Sequence, residues 1–173
     1  DELQHRVKNS FALISSMISL ASGAVVSSDG KAALDDLDCR VISISELYSL
    51  LYSASSFAEV WLDDYCVRVA SPLVGLSENI TLSTEMESIS VPVKEAVPIG
   101  LILTELITNA LKYAFPGGRS GTITVALKKT AGGALLEVRD DGVGLPLGFD
   151  LSKSTGMGLI LVQALSDQIN GSF

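Results

Sequence analysis

The sequence predicts an α+β protein in which an antiparallel helical hairpin precedes an α/β sandwich. Three observations predict it. Two long stretches, residues 2–22 and 31–55, carry apolar residues at helical spacing. Residues 122–129 and 134–139 alternate around the turn Thr130-Ala131-Gly132-Gly133, as paired strands do. Ahead of them, residues 98–116 read as one amphipathic helix bounded by Pro98 and Pro116. Helices and an antiparallel or mixed sheet in separate layers make an α+β sandwich.

In the first stretch Leu3, Val7, Ile14, Ile18 and Ala21 share one side, and Glu2, His5, Asn9 and Ser16 the other. His5, the only histidine of the chain, therefore lies away from the apolar stripe with the Asn9 carboxamide one turn on. The turn-prone Ser27-Ser28-Asp29-Gly30 leads to the second helix, where Leu34, Leu37, Val41, Ile44, Tyr48 and Leu51 recur at alternating spacings of three and four, as in a coiled-coil seam. Two helices cannot bury that much apolar surface alone. Pairing with a second copy in a four-helix bundle buries it. A hairpin folded back on its own neighbouring domain as a monomer is the alternative, and the seam fits both.

Around residues 53–57 the pattern gives way to small polar residues, which divides the chain into residues 1–57 and 58–173. Val60-Trp61-Leu62 is expected to form a short edge strand, with Asp63 as N-cap of a helix reaching Leu76. Residues 80–86 alternate as a strand. In the hairpin, Ile123, Val125, Leu127, Leu136 and Val138 form the expected buried face.

With 173 residues, 47% of them hydrophobic, the chain supports one core plus a helical appendage. A net charge of −8 argues against nucleic acid or an anionic membrane as main partner. Cys39 and Cys66 form no CxxC pair and have no histidine at metal spacing, so they read as reduced, buried thiols rather than a structural metal site. Residues 11–26, the longest apolar stretch, fall short of a membrane span and are broken by Ser15, Ser16, Ser19 and Ser22. Nothing in these residues reads as a signal peptide. The chain opens inside a helical turn and stops at Gly171-Ser172-Phe173, so an excised fragment, cytoplasmic itself, is expected. Any sensor domain or membrane anchor of the full-length protein lies outside it.

In the helix of residues 98–116, Glu105, Asn109 and Lys112 share a face opposite Leu103, Ile107, Ala110 and Ala114. Leu101 and Ile102 lie roughly along the polar side. A carboxylate, a carboxamide and an ammonium on a partly apolar face suit a polyanion held through Mg²⁺.

Glu105-x-x-x-Asn109-Ala110-x-Lys112-Tyr113 resembles the N box of the ATP-binding domain shared by histidine kinases, type II topoisomerases, Hsp90 chaperones and MutL proteins. Asp140-Asp141-Gly142-Val143-Gly144 resembles its first glycine box, and Ser154-Thr155-Gly156-Met157-Gly158-Leu159 its second. His5-Arg6-Val7-Lys8-Asn9 resembles the phosphoacceptor box of the HRxxN histidine kinases. Three nucleotide boxes in order are far more specific than any one.

The resemblance implies ATP and Mg²⁺ as cofactors, a homodimer, a response-regulator receiver domain as partner, and His5 as the phosphorylated residue. It implies Asn109 as Mg²⁺ ligand, Lys112 as phosphate contact and Asp140 as acceptor for an exocyclic amine of adenine. Gly142 and Gly144 then let the backbone approach the base, while Thr155, Gly156 and Gly158 open a helix whose free amides cradle phosphate. The polar loop between Gly144 and Gly156 resembles the family's ATP lid. Glu105 matches the N-box carboxylate, with metal binding and proton transfer both open to it. Arg6 stands where other histidine kinases place an acid, which leaves the base unassigned, with Glu2 the candidate. Two rivals remain at this stage: a histidine phosphotransferase without kinase activity, and a related ATPase or serine-directed anti-sigma kinase.

Overall fold

The computed structural model describes residues 2–53, 59–145 and 157–173, without the side chains of residues 2–6, 47, 50–53 and 157. Two long helices come first, α1 (Glu2–Ala24) and α2 (Ser28–Ser53). The connection is tighter than its turn-prone sequence suggests. Ser27 Oγ accepts the Gly30 N–H at 3.1 Å, satisfying one of the amides left open at a helix start, so α2 begins at Ser28 rather than Lys31.

The α1 stripe is narrower than expected. Ile18 is buried, but Ile14 is 42% exposed and Ala21 is exposed as well. Phe11 instead reaches α2, meeting Tyr48 edge to face with ring centroids 5.8 Å apart. Of the hinge expected at residues 53–57, Ser53 still belongs to α2 and residues 54–57 lie outside the described residues.

Next come β1 (Glu59–Trp61) and α3 (Leu62–Gly75). Asp63 is not the N-cap. The N-cap is Trp61, two residues earlier, because the Leu62 N–H finds the Ile89 carbonyl at 2.8 Å, and Asp63 accepts the Ser88 hydroxyl at 2.7 Å from the first turn. There its charge suits the positive end of the helix.

After β2 (Ile80–Met86) a three-residue strand, β3 (Ser90–Pro92), pairs antiparallel with β1. Helix α4 then runs Val93–Tyr113, starting a turn and a half before Pro98. Pro98 lies inside the helix and forfeits one hydrogen bond near its start. Burial of Ala96 upstream, at 0% exposure, favours the extension.

A short 3-10 turn (Pro116–Gly118) leads to β4 (Gly121–Thr130) and β5 (Gly133–Asp140), and α5 (Met157–Gln168) follows. The sheet order is β2-β4-β5, with β2 parallel and β5 antiparallel to β4. Ile123, Val125 and Leu127 of β4 are sealed by α3 and α4, with Tyr65, Val69, Leu103 and Ile107 in the same core. Leu136 and Val138 are only half-buried, because β5 edges the described sheet. The architecture is therefore the predicted one, two N-terminal helices followed by a mixed α/β domain.

The hairpin does not stand free. One face of α2 lies along α3 and α4, as in the monomeric alternative. Among the described residues, no helix is long and apolar enough to cross a membrane.

Candidate functional site

Helix α4 is the platform. Glu105, Asn109 and Lys112 follow one another at i, i+4 and i+7, while Leu103, Ile107 and Ala110 face the core as expected. Glu105 is buried at 5% exposure, Asn109 is half-buried, and Lys112 occupies the last turn, where its charge complements the helix dipole. The threonines next to Glu105 and Asn109 are spent within the helix: Thr104 donates to the Gly100 carbonyl and Thr108 to the Thr104 carbonyl, each at 2.9 Å. Tyr113 is 72% exposed.

The two glycine boxes meet this platform at two heights. At the lower end of β5, Asp140 accepts the Gly142 N–H at 3.0 Å, which turns the chain back across the end of α4. A Cβ at Gly142 would lie 2.5 Å from the Ala114 Cβ and 2.7 Å from its carbonyl carbon, so only glycine fits. The Val143 N–H then bonds the Ala114 carbonyl at 2.9 Å. Gly144 follows with φ at 73°.

The second box arrives from α5. A Cβ at Gly158 would lie 2.7 Å from Glu105 Oε2 and 3.7 Å from Asn109 Nδ2, so the start of α5 presses against the N-box side chains. Thr155 and Gly156, with the expected lid, lie outside the described residues. Glu2 and His5 belong to α1, but their side chains also lie outside the description; Asn9 is exposed.

Sequence reasoning missed three features. The neighbour of Asp140 is structural: Asp141 Oδ1 accepts the Thr122 N–H at 2.7 Å, and Arg119 donates to its carbonyl at 3.1 Å. The other two involve α2. Arg40 Nε donates to Glu105 Oε1 at 2.6 Å, and Lys112 Nζ pairs with Asp36 Oδ1 at 2.5 Å. Asp36, Arg40 and Ser43 recur at helical spacing on α2, a signal available in the sequence but silent about its target.

The cysteines are free and poorly suited to nucleophilic work. Burial first, then Asp36 and its acidic neighbours, raises the Cys39 thiol above its ordinary range, and burial pushes Cys66 up to about 12.

The residues fit a nucleotide triphosphate with its metal. Among the described residues no group of three or more His, Cys, Asp or Glu side chains forms a metal site. Mg²⁺ bound through one or two protein oxygens plus phosphates needs none. Glu105 and Asn109 carry oxygens that could serve such a metal and Lys112 a cation, and at Gly158 a side chain would fill the space beside them.

Comparison with known proteins points the same way. Residues 2–77 match the family described as histidine kinase, and residues 94–173 match the family of histidine kinase-, DNA gyrase B- and HSP90-like ATPases. The chain is 30% identical over 176 residues to the sensor histidine kinase PdtaS of Mycobacterium tuberculosis, covering 99% of this chain and 35% of that protein. It is 32% identical over 171 residues to blue-light-activated histidine kinase 2 of Erythrobacter litoralis, covering 95% and 49%. Among solved structures, the histidine kinase domain of an Erythrobacter litoralis blue-light activated histidine kinase superposes with a TM-score of 0.73 at 31% identity, over 98% of this chain and 80% of that one. The chain thus spans less than half the length of these two curated relatives.

Proposed function

The chain belongs to the histidine kinases, and from that premise we propose that it is an ATP-dependent catalytic core of the HRxxN type, which phosphorylates His5 and passes the phosphoryl group to an aspartate of a response-regulator receiver domain. Residues 1–57 form the dimerisation and phosphoacceptor part, and residues 58–173 the ATP-binding part. The observation that carries the reading is convergence: the first glycine box on the end of α4 at Ala114, and the second on Glu105 and Asn109 of the same helix.

Asp140 accepts a hydrogen bond from the exocyclic amine of adenine, and Gly142 and Gly144 keep the backbone close to the base. Asn109 and Glu105 hold Mg²⁺, which when bound neutralises charge on the phosphates. Lys112 contacts phosphate, and the amides of Thr155, Gly156 and Gly158 cradle it. Transfer to an imidazole needs little covalent help beyond in-line positioning. A neutral imidazole nitrogen of His5 bonds the γ-phosphorus, the bond to the ADP oxygen breaks, and the imidazole proton leaves to a base, for which Glu2 is the candidate. Asn9, one turn on from His5, hydrogen-bonds the imidazole or its phosphate.

The partner copy of a homodimer docks on the face of α1 where Leu13, Met17 and Leu20 are 61%, 61% and 76% exposed. The chain works in the cytoplasm.

The test is autophosphorylation from ATP by wild type, Asn109→Ala and Asp140→Ala, with folding checked by circular dichroism. Both variants should stay folded and lose labelling. Wild-type labelling by either one overturns the placement of the nucleotide site.

A further inference from the structure

Helix α2 meets the nucleotide-site helix along a single line of contacts. The two helices run antiparallel there: Asp36 pairs with Lys112 at 2.5 Å, and Arg40 with Glu105 at 2.6 Å. Ser43 follows one turn on. Its carbonyl accepts the Tyr65 hydroxyl at 3.2 Å, and a Cβ at Gly100 would lie 2.9 Å from its Oγ. Both charged residues of the N box are therefore occupied by a helix of the phosphoacceptor hairpin.

The two ion pairs are not equivalent. The Glu105 side chain is 6% exposed, so its charge needs Arg40 close by, and that pair is part of the packing. Asp36 and Lys112 are 29% and 36% exposed, so their pair is reached by water and by competing anions. Lys112 is also the cation that a phosphate would claim.

We propose that α2 is a clasp on the nucleotide site: Asp36 holds Lys112, and nucleotide phosphates compete with Asp36 for it and loosen the hairpin from α4. This rests on the reading of Lys112 as a phosphate contact. Coupling of this kind is reciprocal, so whatever factor the nucleotide contributes to opening the clasp, the closed clasp subtracts from nucleotide affinity. The helix hairpin that carries His5 is thereby held against the ATP domain until the triphosphate arrives.

The experiment is equilibrium binding of a non-hydrolysable ATP analogue with Mg²⁺ to the whole chain. Asp36→Ala and the isosteric Asp36→Asn should each bind about two- to five-fold tighter than wild type, the span expected of a partly exposed ion pair. The gain should shrink as salt rises, because salt already screens the pair in wild type. Asp35→Ala removes the same charge one residue away from the contact and should bind as wild type does.

Unchanged or weaker binding by Asp36→Asn, or an equal gain in Asp35→Ala, overturns the clasp. The reading beneath it fails differently: an Asn109→Ala chain that binds the analogue as wild type does would remove the nucleotide site itself. Loss of binding in Asn109→Ala together with unchanged Asp36 variants overturns the clasp alone.

Discussion

Replacing Gly142 by alanine should separate the close approach at the first glycine box from a mere loop preference. The new methyl would stand 2.5 Å from the Ala114 Cβ and 2.7 Å from the Ala114 carbonyl carbon, about an ångström short of ordinary contact. Neither neighbour can swing away. Ala114 is 6% exposed, and its N–H is bound to the Ala110 carbonyl at 2.9 Å. The turn must lift, which strains the packing by about 1–3 kcal/mol. It also breaks the Val143 to Ala114 bond, worth about 1 kcal/mol.

A loss of about 2–4 kcal/mol lowers the melting temperature of a chain this size by roughly 4–16 °C. Lifting the turn also moves Asp140, whose Oδ1 holds the Gly142 amide, so affinity for ATP should fall roughly tenfold in the molecules that remain folded. Calorimetric melting and nucleotide titration measure both. Gly132→Ala is the control, since nothing lies within 4 Å of its Cβ, and it should stay within about ±0.5 kcal/mol of wild type. Equal melting temperatures for the two variants would refute the argument.

Arg40→Ala should cost more stability than a surface change, about 1–3 kcal/mol after discounting for its 27% exposure, because Glu105 is left as an unpaired buried charge; Arg40→Lys should recover part of it in chemical denaturation. Burial holds both Cys66 and Tyr65 protonated in the fold, raising them from ordinary values of 9.0 and 10.0. Above those values only the unfolded chain ionises, so stability should be level up to about pH 9 and then fall by at most about 1.4 kcal/mol per pH unit for each group. Cys66→Ala, though less stable at neutral pH, should show a shallower fall between pH 9 and about 12 in denaturation midpoints. Met17→Glu, on the exposed face of α1, should convert a dimer to a monomer in sedimentation; a wild type monomeric over a wide concentration range refutes the dimer.

Local periodicity made much of the fold legible. Ile123, Val125 and Leu127 alternate on β4, and the register sets Val125 opposite Val138 and Leu127 opposite Leu136, as the hairpin pattern implied. Leu103, Ile107 and Ala110 are the core stripe of α4 that their spacing predicts. Misreadings fell where tertiary contacts override local signals. Pro98 looked like a boundary, yet burial of Ala96 carries the helix across it. Asp63 looked like a cap, yet the Ile89 carbonyl fixes the start of α3 from 27 residues away. Three-residue strands such as β1 and β3 carry too little pattern to announce their pairing. For the site, the residue types and their order were legible, because each box is local. The ion pairs of Arg40 with Glu105 and of Asp36 with Lys112 span 65 and 76 residues, and a single sequence does not say which charges meet at such separations.

The central claim is that ATP phosphorylates His5, and the chemistry of the label tests it most directly. Wild type and His5→Gln are incubated with γ-labelled ATP and Mg²⁺, and the labelled protein is then exposed to acid and to alkali. The account predicts that wild type acquires a label lost in acid and retained in alkali, while His5→Gln binds ATP as wild type does and acquires none. An acid-stable label on wild type, or any label on His5→Gln, would contradict it.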